Sequence, residues 1–203
     1  MKSKLPERSY KVFRPFLGLL FKLYYHPRII GRENIPKTGS IIVAGNHKHV
    51  YDQCGIIIAT KRVIHYMAKK EYFDGKFKWF FKMMGCISVN RSIHDEKAKE
   101  EALNVLYDGK ALGIFPEGTR NKTEQFLLPF KFGCVSMAKK TDSYIVPFSV
   151  TGDYKFRSHN LVYRIGKPFK VGKMDLEEAN RRLTKAIGDL MKKSLSNEKR
   201  GKK

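Results

Sequence analysis

Short runs rich in Ile and Val recur along the chain, separated by longer stretches with apolar residues at helical spacing. The runs Ser40–Ala44, Val63–Ala68, Cys86–Val89, Ala111–Phe115 and Tyr144–Val150 predict strands. Between them, Asp52–Lys61, Lys76–Met84, Asp95–Tyr107 and Phe130–Lys140 predict helices. This alternation predicts an α/β protein, one sheet covered by helices. Asp108-Gly109 ends the third of these helices, and Asp175 with Glu178 forms a capping box that opens a last one. That last helix carries Leu176, Ala179, Leu183, Ala186 and Leu190 on one face. Beyond Lys193 the chain is polar and ends Glu198-Lys199-Arg200-Gly201-Lys202-Lys203, so residues 194–203 read as a basic flexible tail.

The start of the chain has a pattern of its own. Phe16-Leu17-Gly18-Leu19-Leu20-Phe21 is interrupted by Lys22 and falls far short of the roughly 20 apolar residues that span a bilayer. Helical spacing places Phe13, Phe16, Leu17, Leu20, Phe21 and Tyr24 on one side and Lys11, Gly18 and Lys22 on the other, with Pro15 suited to the first turn. An apolar stripe flanked by basic residues suits a helix lying in the membrane interface; packing of the stripe on the domain's own core is the other reading. No small-residue cleavage site follows the run, so no cleavable signal peptide is expected. Residues 1–27 are therefore expected to form an amphipathic membrane-interface segment. Residues 28–193 form one domain, since no Gly/Ser-rich or Pro-rich linker divides them.

Charge sharpens this picture. Lys and Arg total 41 against 19 Asp and Glu, a formal net charge of +22 that calls for an anionic partner. No helix-turn-helix, zinc finger or paired aromatic RNA-binding strand is recognisable, which turns the expectation from nucleic acid to an anionic membrane surface. Cys54, Cys86 and Cys134 are scattered, which argues for a reducing compartment and against a disulfide frame or a structural zinc site; no metal or other cofactor is expected. Between Tyr72 and Met84 aromatics interleave with Lys, a composition suited to the headgroup boundary, to the wall of an apolar tunnel or to the core.

Candidate chemistry lies in two stretches. In Asn46-His47-Lys48-His49-Val50-Tyr51-Asp52, an imidazole and a carboxylate stand five residues apart. On a regular helix these side chains would be about 140° apart, so they meet only if the backbone turns between them. His47 is accordingly expected in a loop after the first strand and Asp52 at or near the start of the next helix, as base and orienter. His49 competes for the role of base on geometry alone. In Phe115-Pro116-Glu117-Gly118-Thr119-Arg120, Gly118 permits positive φ and close backbone approach, Arg120 can fork onto phosphate oxygens, and Glu117 could bind a substrate hydroxyl or hold a neighbouring base. In an open α/β sheet ligands gather at the carboxyl ends of strands, where Asn46, Arg91 and Pro116 would converge. There is no Gly-x-Ser-x-Gly elbow and no cysteine in these motifs, so a covalent intermediate on Ser or Cys is not expected.

With these residues in place the chain resembles the 1-acylglycerol-3-phosphate acyltransferases of bacterial type, over roughly residues 28 to 170. The His and Asp separated by four residues match His47 and Asp52, which the resemblance makes the catalytic pair, and the Phe-Pro-Glu-Gly-Thr-Arg block is present unchanged. Gly85-Cys86-Ile87-Ser88-Val89-Asn90-Arg91 matches a third block and Ile145-Val146-Pro147 a fourth. Lesser agreements are Gly31-Arg32-Glu33-Asn34-Ile35-Pro36, Ala68-Lys69-Lys70-Glu71 and Phe130-Lys131-Phe132-Gly133. The chain departs from the family in having His49 where Ser is common and Asn90 where Asp is. The resemblance implies a mixed sheet of the glycerolipid acyltransferase type. It assigns substrate phosphate or glycerol to Arg91, Glu117, Gly118, Thr119, Arg120 and Lys131. It also implies an acyl-CoA or acyl-carrier-protein donor, a lysophosphatidic acid acceptor, phosphatidic acid as product, and a peripheral or monotopic place on the cytoplasmic face of the cell membrane.

Overall fold

The computed structural model describes residues 5–200; Gly201, Lys202 and Lys203 of the expected tail and residues 1–4 of the expected interface segment lie outside the described residues. Its helices are α1 (Arg8–Tyr25), α2 (Asp52–Ala59), α3 (Glu71–Asp74), α4 (Lys78–Met83), α5 (Glu96–Tyr107), α6 (Gly133–Thr141) and α7 (Leu176–Arg200). The strands are β1 (Arg28–Ile30), β2 (Ile41–Gly45), β3 (Ile64–Lys69), β4 (Ile87–Val89), β5 (Ala111–Ile114), β6 (Tyr144–Thr151) and β7 (Val162–Ile165).

All seven strands join one mixed sheet in the order β1-β7-β6-β2-β5-β3-β4. β2 runs parallel to both β5 and β6, with Val43 opposite Gly113 and Val146. β6 and β7 pair antiparallel, and β1 runs parallel to β7. The central strands are covered on both sides and so read as unbroken apolar runs. Within β2 the pleat sends Ile42 and Ala44 to one face, against Leu106 of α5, Val135 of α6 and Leu183 of α7. Ile41 and Val43 go to the other, against Ile56 of α2 and Phe21 of α1.

Several expectations change in detail. β1 and β7 join the five strands read from the sequence, and the Lys-rich aromatic stretch divides into α3 and α4. α6 starts at Gly133 rather than Phe130, after the Pro129-containing approach. α7 opens as the capping box predicts, with Glu178 N–H donating to Asp175 Oδ1 at 2.6 Å. It then continues through the expected tail as far as Arg200, and Ser194 is buried where its Oγ accepts from Arg164 Nε at 3.2 Å.

α1 starts at Arg8, so Pro15 lies inside the helix rather than in its first turn. Gly18 does not share a polar side with Lys11 and Lys22: it is buried, and a Cβ there would lie 2.8 Å from Ile58 Cγ2. The missing side chain lets α1 settle on α2. Tyr10 and Phe21 point inward, while Val12, Phe16, Leu19, Leu20 and Leu23 remain exposed. The expected stripe is thus divided between a side that packs on the domain and a side left exposed, and the helix is apolar on both. No helix of the described residues is long and apolar enough to cross a membrane.

Candidate active site

β2 ends at Gly45 and α2 begins at Asp52, so His47 lies in the intervening loop and Asp52 opens the helix, as the spacing required. The turn brings His47 Nδ1 to 2.8 Å from Asp52 Oδ2. That oxygen also accepts from the backbone N–H groups of Lys48 and His49, both at 2.7 Å. Asp52 is 0% exposed, and its other oxygen accepts from Tyr154 Oη at 2.6 Å. Four hydrogen bonds thus fix the buried carboxylate in place. With Nδ1–H directed at Asp52, the imidazole keeps its lone pair on Nε2, the tautomer a general base needs.

The ring of His47 is fixed from a second direction by Phe115, which stacks on it at 4.0 Å and 11°. Its backbone is clamped by the turn after β5. Glu117 Oε1 accepts the His47 N–H at 2.7 Å, and the Asn121 N–H donates to the His47 carbonyl at 2.6 Å. Glu117 Oε2 accepts the Leu128 N–H at 2.9 Å. Of the roles open to Glu117, holding the neighbouring base is the one these bonds fit, since both oxygens are engaged and the residue is 4% exposed. Burial pushes its carboxyl above the usual range, and the two N–H donors pull against that shift. Gly118 closes the turn with φ of 69° and its N–H on Phe115 O at 2.9 Å. A Cβ there would meet Lys131 Cε at 2.8 Å.

His49 is oriented differently. Its ring stacks on Tyr154 at 4.2 Å, and its Nδ1 faces the Tyr51 N–H at 3.4 Å, so the Asp52 carboxylate orients His47 and not His49. Burial lowers the proton affinity of His49.

His47 opens onto a cavity of about 1030 Å³, at the upper end of small-molecule sites. Much of its wall is apolar: Leu17 and Phe21 of α1, Ile57 of α2, Tyr66 of β3, Phe80 and Phe81. Lys69, Arg91, Thr119, Arg120 and Lys122 also line it, so the carboxyl ends of β2, β4 and β5 do converge. Arg91 and Arg120 are exposed. Lys131 is placed over the Gly118 turn instead, and neither it, Glu117 nor Gly118 belongs to this wall.

The sequence reading missed Phe115 as the platform for His47. Asn46 was expected at this edge, but not the bridge by which its side chain holds both backbone groups of Val150 at 3.0 and 2.7 Å, and Tyr154 was missed altogether. No local pattern marks these roles, because each residue acts on a partner distant in sequence.

A mixed α/β sheet carrying a His–Asp pair at the mouth of an apolar cavity with a basic rim defines a protein built to handle molecules both apolar and anionic. The family model described as Acyltransferase matches residues 26–151, and the chain belongs to that family. It is 35% identical over 141 residues to the 1-acyl-sn-glycerol-3-phosphate acyltransferase of Borreliella burgdorferi, covering 68% of this chain and 56% of that protein. It is 28% identical over 166 residues to the Bacillus subtilis protein of the same name, covering 78% and 81% respectively. The crystal structure of the 1-acyl-sn-glycerophosphate (LPA) acyltransferase of Thermotoga maritima superimposes with a TM-score of 0.75 at 25% identity, over 89% of this chain and 77% of that one.

Proposed function

We propose that the protein transfers a fatty acyl group from an acyl thioester, of CoA or of acyl carrier protein, to the sn-2 hydroxyl of 1-acylglycerol 3-phosphate, giving phosphatidic acid. The observation that carries this reading is the 2.8 Å His47–Asp52 contact at the end of an apolar cavity whose rim includes Arg91 and Arg120. His47 Nε2 takes the hydroxyl proton as the oxygen attacks the thioester carbonyl. The C–S bond breaks, and the imidazolium returns the proton to the departing thiolate. Asp52 stabilises the imidazolium and holds its tautomer. Arg91 and Arg120 fork onto the phosphate, with Thr119 beside them and Lys131 a further cation behind the turn, so the hydroxyl is placed before attack. Glu117 and Gly118 shape that turn and position His47 through its backbone.

Residues 1–27 act as the membrane-interface segment and residues 28–193 as the acyltransferase domain, with α7 extending the domain beyond that boundary. The exposed apolar side of α1, with Phe77 and Trp79 also exposed, supports a peripheral or monotopic seat on an anionic leaflet. The cytoplasmic face is where thioester donors are supplied.

The test is thiol release from a long-chain acyl thioester with 1-acylglycerol 3-phosphate, with glycerol 3-phosphate or with no acceptor, and identification of the lipid formed. Phosphatidic acid made only with the lysophosphatidate supports the proposal. Acylation of glycerol 3-phosphate or another lysolipid instead would keep the mechanism and change the acceptor. No transfer by folded, vesicle-bound protein would leave a non-catalytic binder of anionic membranes.

A further inference from the structure

We propose that Tyr154 is a positioning residue for the His47–Asp52 pair, fixing the carboxylate from a loop that also grips the end of α1. The inference rests on the acyl-transfer reading above.

The two oxygens of Asp52 are served unequally. Oδ2 accepts from His47 Nδ1, Lys48 N and His49 N, whereas the donor to Oδ1 is the hydroxyl of Tyr154. In a residue 0% exposed, an oxygen deprived of that donor could not turn to solvent, and the carboxylate would be free to rotate away from the imidazole. Tyr154 has one hydroxyl proton and gives it to Asp52. The Tyr163 Oη, 2.7 Å away, therefore donates to Tyr154, and the order Tyr163 to Tyr154 to Asp52 is set by proton counting. Donors aligned in this way polarise one another. Burial, with the Asp52 charge nearby, drives both phenols far above their ordinary range, so neither loses its proton at any working pH.

Tyr163 reaches this place because Gly55 stands in the first turn of α2: a Cβ there would lie 2.2 Å from the Tyr163 ring. The loop that carries Tyr154 is tied at both ends. Asp153 and Asn160 bond each other twice, at 2.9 and 3.0 Å, and Lys48 Nζ donates to the Gly152 carbonyl. Arg157 and His159 sit in the left-handed region, at φ of 48° and 55°, a cost that persists only where surroundings fix the loop. Those surroundings are the last turn of α1. Arg157 N–H donates to the Tyr24 carbonyl at 2.9 Å, Phe156 packs on Tyr24 at 5.0 Å, and Tyr25 meets the Tyr154 ring edge-on at 5.6 Å.

Tyr154→Phe removes the hydroxyl and keeps the ring. We expect kcat to fall about 10-fold while KM for thioester and lysophosphatidate stays within about twofold. The acid limb of the pH–rate profile should move to lower pH, because a carboxylate free to turn away from the imidazole stabilises the imidazolium less. In an Asp52→Asn background the same change should alter turnover little, since its effect passes through the carboxylate. Tyr163→Phe should act in the same direction and more weakly, and it carries the test if Tyr154→Phe does not fold. Wild-type kcat and pH profile in both variants overturn the inference, as does an effect undiminished in Asp52→Asn. Absence of acyl transfer by the wild-type protein sinks the acyl-transfer reading instead. The positioning is then read from the downfield His47 Nδ1–H proton resonance, which shifts in Tyr154→Phe if the inference holds and stays in place if it does not.

Discussion

Glu117 holds His47 by the backbone, with Oε1 on the His47 N–H and Oε2 on the N–H of Leu128. A carboxylate spans two loops, and the base between them cannot shift without breaking that span. Glu117→Ala leaves two donors without an acceptor, each worth about 1–3 kcal/mol where buried. Turnover should drop about 100-fold with little change in KM. Near-normal kcat in a folded Glu117→Ala protein would contradict this.

The same carboxylate should mark the stability profile. Burial raises the Glu117 pKa above its unfolded value near 4.5, so the folded state holds the proton more tightly. Its contribution is fully present below pH 4.5 and is lost as pH rises through the folded value. Urea unfolding from pH 4 to 7 should show wild type losing stability relative to Glu117→Gln over that window. A relative gain would reverse the sign.

His65 should act at the other end. It is 0% exposed, with Nδ1 at 2.8 Å from the Gly85 carbonyl, and burial lowers its pKa from 6.5. The unfolded chain takes up the proton first, so stability falls as pH drops below about 6.5. His65→Gln should flatten the difference in urea midpoint between pH 7.5 and 5. An unchanged difference would place the acid sensitivity elsewhere.

His47→Ala should lower kcat by about 10³-fold or more, and His49→Ala by less than 10-fold, since the Asp52 carboxylate orients only the first ring. Initial rates with matched circular dichroism decide it. An active His47→Ala enzyme would return the role to His49.

Replacing Phe16, Leu19 and Leu23 together by Ser strips the outer side of α1 and leaves the inner side intact. Each such side chain contributes about 1.5–3 kcal/mol when fully taken from water, so partial insertion of three predicts about 100-fold weaker binding to anionic vesicles. The domain's melting temperature should hardly move. Unaltered binding in a sedimentation assay would remove α1 from the membrane contact.

What the sequence made legible follows from how local each signal is. His47, Asp52, Glu117, Gly118 and Arg120 sit in two short blocks, and the strands that present them are continuous apolar runs bounded by turns. Periodicity failed at α1 because that helix is apolar on two sides, so Gly18 took its assignment from the two lysines and not from Ile58. β1 and β7 are three and four residues long, too short for a pattern, and gain their identity from each other. Tyr154 lies 102 residues from the carboxylate it serves. Such a contact is created by the fold and has no local trace.

The reversed polarity of β7 and β1 has a geometric result. Were β7 parallel to β6, the chain between them would have to return the length of a strand, and its connection would span both ends of the sheet. Because β7 runs back, the short connection carrying Tyr154 stays at the carboxyl edge, beside Asp52. Because β1 follows β7, the chain must enter β1 at that edge too, which puts the end of α1 there. Two strands laid against the grain of the sheet thus bring the end of α1, tyrosine and imidazole to a single rim.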